Sequence, residues 1–152
     1  MAFAKGTVVS VASSRAEIER MLHRYGISGF QSGWDGDRAA ILFEKSGRRV
    51  RFELRLPAAS EFLKTPENRT RSADDAKRAQ DAEHRRLWRA LCLVIKAKLE
   101  SVESGIENFE EAFLANVVLP GDGKTFGEWA APKIAAAHDQ GAKMPPMLGS
   151  GT

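Results

Sequence analysis

Apolar and polar residues alternate on both sides of Ser46-Gly47, and this pattern predicts a β-hairpin from Arg38 to Leu56. With these two residues as the turn, one face is apolar, and its cross-strand pairs are Phe43 with Val50, Ile41 with Phe52 and Ala39 with Leu54. The other face carries charges from Arg38, Glu44, Arg49, Arg51, Glu53 and Arg55. A slip of one residue would mix the two faces, so both strands specify the same register.

Three elements are predicted before the hairpin. Gly6–Val11 is β-branched enough for a strand, and the capping-box pattern of Ser14 and Glu17 predicts a helix over Arg15–Tyr25. Gly29–Trp34 reads as another strand, which ends at the tight turn of the WDGD sequence. Its alternation places Phe30, Ser32 and Trp34 on one face. Together with the hairpin, this strand predicts a three-stranded antiparallel meander.

The second half of the chain is helical in pattern. A long helix is predicted from the cap residue Ser72 to about Glu103, with an apolar stripe only in its second half. That stripe comprises Leu87, Trp88, Leu91, Val94, Ile95, Leu99 and Val102. Asn108 caps a predicted short helix, and Thr125 starts a last helix. The apolar face of the last helix comprises Phe126, Trp129, Ala130, Ile134 and Ala137.

These elements predict an α+β fold. A three- to four-stranded antiparallel sheet in the N-terminal half packs against the long helix, and the two shorter C-terminal helices complete the core. Residues 1–141 are expected to form one domain and residues 142–152 a flexible C-terminal tail.

Composition narrows the class of protein. The chain has 152 residues, 43% hydrophobic and 28% charged, which is enough apolar material for a real core. It has no run of 18 apolar residues and no signal-peptide pattern, so we expect a cytoplasmic protein with no membrane partner. The single cysteine, Cys92, excludes an internal disulfide and a cysteine-rich metal site, and its apolar surroundings predict an inert core residue.

The charges are segregated along the chain. Residues 1–98 contain 20 Lys/Arg against 12 Asp/Glu, a surplus of 8, whereas residues 99–152 contain 3 against 8, a deficit of 5. A basic half suits a polyanionic partner, and an acidic part either faces away from that partner or binds another protein.

The leading hypothesis is sequence-tolerant binding of nucleic acid, preferably single-stranded, with DNA and RNA both left open. Arginine neutralises phosphates and stacks on bases, and an exposed aromatic ring adds a stacking platform. The predicted binding residues are Trp34, Arg38, Arg49, Arg51, Arg55, Arg85, Arg86 and Arg89. No catalytic residue, metal ligand or cofactor is predicted, because the chain has no nucleophile–base set and no phosphate-binding loop.

Two other classes remain open. The acidic, apolar run from Glu100 to Leu119 suits a protein-interaction module, and the long helix suits homo-oligomerisation. A metal-dependent nuclease would gather carboxylates from Asp35, Asp37, Glu44 and Glu53. Such enzymes resemble one another in a Glu-x-Lys motif, and here Arg55 stands in the lysine position, which argues against water activation.

Three stretches carry a resemblance over most of the chain, from about Ser14 to Gly141: SRAEIERMLHRYG, GWDGDRAAILFEKSGRRVRFELRLP and KLESVESGIENFEEAFLANVVLP. They resemble an uncharacterised group of small phage- and prophage-encoded proteins. The resemblance implies a bacterial host cell and a role near viral DNA processing, or inhibition of a host defence or replication protein. It carries over no functional residue. The strand-rich half with a following helix is also similar, in outline only, to PC4-like single-strand DNA binders.

Overall fold

The computed structural model describes residues 4–141 and Lys143. The elements in chain order are α1 (Val11–Arg24), β1 (Ser28–Asp35), β2 (Arg38–Lys45), β3 (Arg48–Arg55), a 3-10 turn (Ala59–Phe62), α2 (Ala73–Glu103), α3 (Phe109–Phe113), a second 3-10 turn (Leu114–Asn116) and α4 (Phe126–Asp139). The α+β class is therefore confirmed. The predicted tail, residues 142–152, lies outside the described residues except for Lys143.

The sheet is the predicted antiparallel meander, in the order β1-β2-β3. The predicted hairpin register is confirmed: Phe43 pairs with Val50, and Ile41 pairs with Phe52. Ser46 and Gly47 form the turn with φ of 53° and 75°. Positive φ at both central residues gives a turn whose twist matches that of the flanking strands, which explains why this register is stable.

One face of the sheet packs against α1 and α2. Most of the buried apolar residues form one cluster, which includes Ile18, Met21 and Leu22 of α1, Ile41, Phe43, Val50 and Phe52 of the sheet, and Trp88, Leu91, Cys92, Ile95 and Leu99 of α2. Phe113 of α3 closes the cluster edge-on, with its ring centroid 5.6 Å from that of Phe43. The opposite face of the sheet carries the charged residues.

Helix α2 has the predicted length and N-cap, since the Ser72 side chain accepts a hydrogen bond from the Asp75 backbone N–H. Four of the seven residues of its apolar stripe, Trp88, Leu91, Ile95 and Leu99, are buried in the protein's own core, whereas Val94 is 44% exposed. Self-association through this helix stays a prediction. The first half lies on the connection after β3, where Ala76 is buried and Gln80 donates to the Pro57 carbonyl at 3.2 Å.

The predicted strand Gly6–Val11 is wrong. Residues 7–10 form no strand, and Val11 already belongs to α1. Ser10 is the N-cap, because its hydroxyl accepts a hydrogen bond from the Ser13 backbone N–H at 3.0 Å. The predicted cap residue, Ser14, lies inside the helix and is fully buried.

The last helix forms where predicted, with Thr125 as its N-cap. Its packing differs from the prediction. Of the predicted apolar face only Ala130 is buried, while Ile134 is 56% exposed and every residue from 131 to 140 is exposed. Helix α4 therefore contributes little to the core and leaves an apolar side uncovered.

Candidate functional site

The four arginines predicted for the sheet do share its charged face, since Arg38 pairs with Arg55 and both alternate with the buried positions. Three of these arginines form ion pairs with carboxylates of the same chain. Arg49 pairs with Glu44 at 3.0 Å, Arg51 with Glu53 and Glu128 at 3.2 Å each, and Arg55 with Glu61 at 2.7 Å. The charge of this face is thus largely balanced within the protein, which weakens its attraction for a polyanion.

Arg51 differs from the other arginines of this face because its side chain is only 20% exposed. Its Nη1 donates to the Gly123 carbonyl at 2.8 Å, in the loop that leads into α4. The Asn116 side chain in turn donates to the Arg51 carbonyl at 3.0 Å. Arg51 therefore connects the sheet to the C-terminal segment and has a structural role.

Trp34 lies on the other face of the sheet. It pairs with Ala39, a core residue, so its side chain shares the face of Ala39 and not that of the arginines. The indole extends past the end of the core and is 76% exposed. The expected combination of Trp34 with the arginine row is not formed. The turn at Gly36-Asp37 pairs Asp35 with Arg38 and therefore Trp34 with Ala39. Setting the register from this turn in the sequence would have placed Trp34 on the same face as Ala39.

The three predicted arginines of α2 lie on the helical side of the sheet, away from the arginine row. Arg86 pairs with Glu83 at 2.6 Å, and Arg85 reaches the Thr7 carbonyl at 3.5 Å. Arg89 pairs with Glu17 of α1, and this hydrogen bond lowers the pKa of Glu17. The eight predicted residues therefore occupy at least three separate places on the molecule.

A cationic surface that sequence reasoning missed lies on α1. Arg20 and Arg24 are exposed and, within the described part of the chain, have no carboxylate oxygen within 4.0 Å. Their spacing of four residues puts them on one side of the helix. The signal was present in the sequence as three arginines and a histidine within Arg15–Arg24.

The predicted nuclease carboxylates do not form a metal-binding group. Across residues 4–141, no cluster of three or more His, Cys, Asp or Glu side chains is arranged to hold a metal ion. No described helix combines the length and the apolar character needed to cross a membrane.

An apolar groove lies between α4 and the segment of α3 with the following 3-10 turn. It has a volume of about 440 Å³ and is lined by Lys98, Glu107, Glu111, Ala112, Leu114, Ala115, Phe126, Gly127, Ala130, Ala131 and Ile134. The two elements approach closely at Gly127, where a Cβ atom would come within 3.0 Å of the Ala115 carbonyl oxygen. The floor is apolar, and Leu114 and Ile134 are both exposed on its walls.

The charged side chains that line this groove are two carboxylates, Glu107 and Glu111, against one ammonium, Lys98, so the lining has a net charge of −1. The Lys98 ammonium donates to the Ala112 carbonyl at 2.7 Å, and the Glu107 carboxylate accepts from the Ser101 hydroxyl at 2.7 Å. Ile106, beside Glu107, is exposed as well. An exposed apolar surface with an acidic border is typical of a site that binds another protein.

Comparisons with protein-family models, with curated proteins and with solved structures find no match to this chain.

Proposed function

We propose that this protein is a protein-interaction module and that the groove between α3 and α4 binds an amphipathic, basic segment of a partner protein. The observation that carries the proposal is the uncovered apolar side of α4, on which Ile134 is 56% exposed. An amphipathic helix normally buries such a side in its own domain, so an uncovered one supports an external partner.

The chemistry of the partner is argued from the groove. A short helix presents apolar side chains at spacings of three and four residues, which suits a narrow apolar floor between two helices. The rim residues Glu107 and Glu111 favour lysine or arginine at the ends of that segment. If the chain shares the context of the phage-encoded proteins that it resembles, the partner is a host or phage protein.

The proposal is tested by selecting helical peptides from a displayed library against the folded protein. We expect enrichment of peptides with apolar residues three and four apart, flanked by lysine or arginine. Ile134→Glu should weaken binding of an enriched peptide by at least about tenfold, because it places a charge on the apolar wall. Fluorescence anisotropy measures the affinity.

Ala136→Glu is the matched control. Ala136 is also exposed on α4, but it lies on the side of the helix turned away from Ala130 and Ile134. It should leave peptide binding unchanged. Circular dichroism and urea unfolding establish that both variants are folded. No enrichment, or equal binding by the Ile134→Glu and Ala136→Glu variants, would refute the proposal.

A second candidate function is the binding of a polyanion such as nucleic acid, and one observation favours it: Arg20 and Arg24 on α1 have no carboxylate partner among the described residues. Replacing both with glutamine should weaken binding of a labelled single strand and flatten its salt dependence. Replacing Arg49 and Arg55, which pair with carboxylates, should have a smaller effect. Binding unaffected by either replacement would exclude both surfaces.

A further inference from the structure

Strand β1 forms one edge of the sheet, and its outer side has no strand partner within residues 4–141. The strand is Ser28–Asp35, and seven of its eight residues are exposed. A β-bulge between Ser28 and Gln31 shifts its register with β2, so the regular part of the edge is Gln31–Asp35. The sequence of the strand, SGFQSGWD, contains no lysine, arginine or proline, and its only charge is the terminal Asp35. Natural sheets usually protect an open edge with such residues or with a bulge, and the stretch Gln31–Asp35 has neither, so it is open to pairing with another strand.

Two copies of β1 can pair antiparallel about a two-fold axis through Ser32, and their side chains are then complementary. Trp34 of each copy then lies opposite Phe30 of the other, on the face that packs against the helices. Asp35 lies opposite Gly29, and Gln31 lies opposite Gly33, so no like charges meet and each larger side chain faces a glycine.

The aromatic pair in this register fits the burial of each residue. Phe30 is half-buried against the core of its own chain, whereas Trp34 is 76% exposed beyond the end of that core. A partner's Trp34 would extend the apolar surface that begins at Phe30. Aromatic residues opposite each other on neighbouring strands stabilise a pair beyond the area that they bury.

We propose that the protein forms a homodimer by antiparallel pairing of β1 with β1 about Ser32, which joins two three-stranded sheets into one of six strands. The inference does not depend on the proposed groove, since β1 and α4 are different surfaces. It uses a different surface from the expected self-association through α2, where four of the seven stripe residues are buried in the core.

The test uses the residue on the two-fold axis. Ser32 is exposed, and in the dimer it faces its own copy. Ser32→Lys and Ser32→Glu should each convert the dimer to a monomer, because like charges then face each other directly, and an equal mixture of the two variants should restore a dimer of one chain of each kind. Size-exclusion chromatography with light scattering measures the mass across a dilution series. Ser60→Lys, an exposed change away from the strand, should leave the dimer unchanged.

Trp34→Ala gives an independent measurement without a new charge, and it should weaken dimerisation by more than about tenfold. Far-ultraviolet circular dichroism establishes that each variant is folded. A wild-type chain that stays monomeric at its highest soluble concentration would overturn the proposal. A dimer that persists in the Ser32→Lys variant, or a mixture of the two charged variants that stays monomeric, would overturn it as well.

Discussion

Replacing Arg51 with alanine should destabilise the protein far more than replacing Arg49, although both arginines lie on the charged face of β3. The Arg51 side chain is 20% exposed, whereas that of Arg49 is 59% exposed and, among the residues that the structure describes, pairs only with Glu44. Arg51 also donates to the Gly123 carbonyl and pairs with Glu128, so its loss removes the link between the sheet and the start of α4.

The magnitude follows from these contacts. A hydrogen bond from a charged donor contributes about 1.5 to 3 kcal/mol, and a half-exposed ion pair adds less than about 1 kcal/mol. We therefore expect Arg51→Ala to lower the free energy of unfolding by about 2 kcal/mol, and Arg49→Ala by less than about 0.5 kcal/mol. With an m-value of about 2 kcal/mol per molar urea, the midpoint of the Arg51 variant falls by about 1 M.

Urea unfolding followed by circular dichroism measures both variants. The double variant Arg51→Ala with Glu128→Gln should lose less than the sum of the two single losses, since the two side chains interact directly. Equal losses for Arg51→Ala and Arg49→Ala, or strict additivity with Glu128→Gln, would refute the structural role of Arg51.

Three further outcomes are expected. Phe52→Asp should cost about 4 kcal/mol or more in unfolding free energy, because it buries an unpaired charge among aromatic rings; a folded variant of near wild-type stability in urea would contradict this. The hydrogen bond from Arg89 lowers the pKa of Glu17, so this pair stabilises the fold above the ordinary Glu pKa and stops doing so as pH falls through the lowered value. The stability gap between wild type and Glu17→Gln, measured by urea unfolding across pH, should therefore shrink in acid, and a gap that grows would contradict the pairing. Burial raises the pKa of the Cys92 thiol, so a thiol reagent should modify Cys92 only after unfolding, and rapid labelling of the native protein would place it at the surface.

Much of the fold was predictable because several local sequence patterns are compatible with only one strand register or one helix start. The hairpin register required two alternations to agree, and the caps at Ser72, Asn108 and Thr125 each form the predicted side-chain hydrogen bond. The strand predicted at Gly6–Val11 failed because β propensity does not show whether a neighbouring strand is available. Ser10 instead supplies a cap that starts α1 four residues early.

The candidate site was harder to predict, since it depends on which surfaces meet. Alternation placed the arginines on one face but could not show that Glu61, beyond the end of β3, and Glu128, 77 residues from Arg51, would pair with them. The spacing of apolar residues in α4 predicted an apolar face. It did not show whether that face packs against other residues of this chain or stays exposed. The same spacing of apolar residues along a helix serves a partner inside the domain and a partner outside it.

The two edges of the sheet are not equivalent. On the outer side of β3, the Val118 N–H donates to the Arg49 carbonyl at 2.8 Å, and Val117 forms a bridge with Val50. This segment covers the Arg49 and Val50 positions of that edge, whereas β1 has no strand partner on its outer side within residues 4–141. If two chains pair through β1 as proposed, the outer edges of the joined sheet are the two copies of β3, each covered in part by its own Val117-Val118 segment. Such partly covered edges are poor templates for a further strand, which would limit the growth of fibres at high concentration.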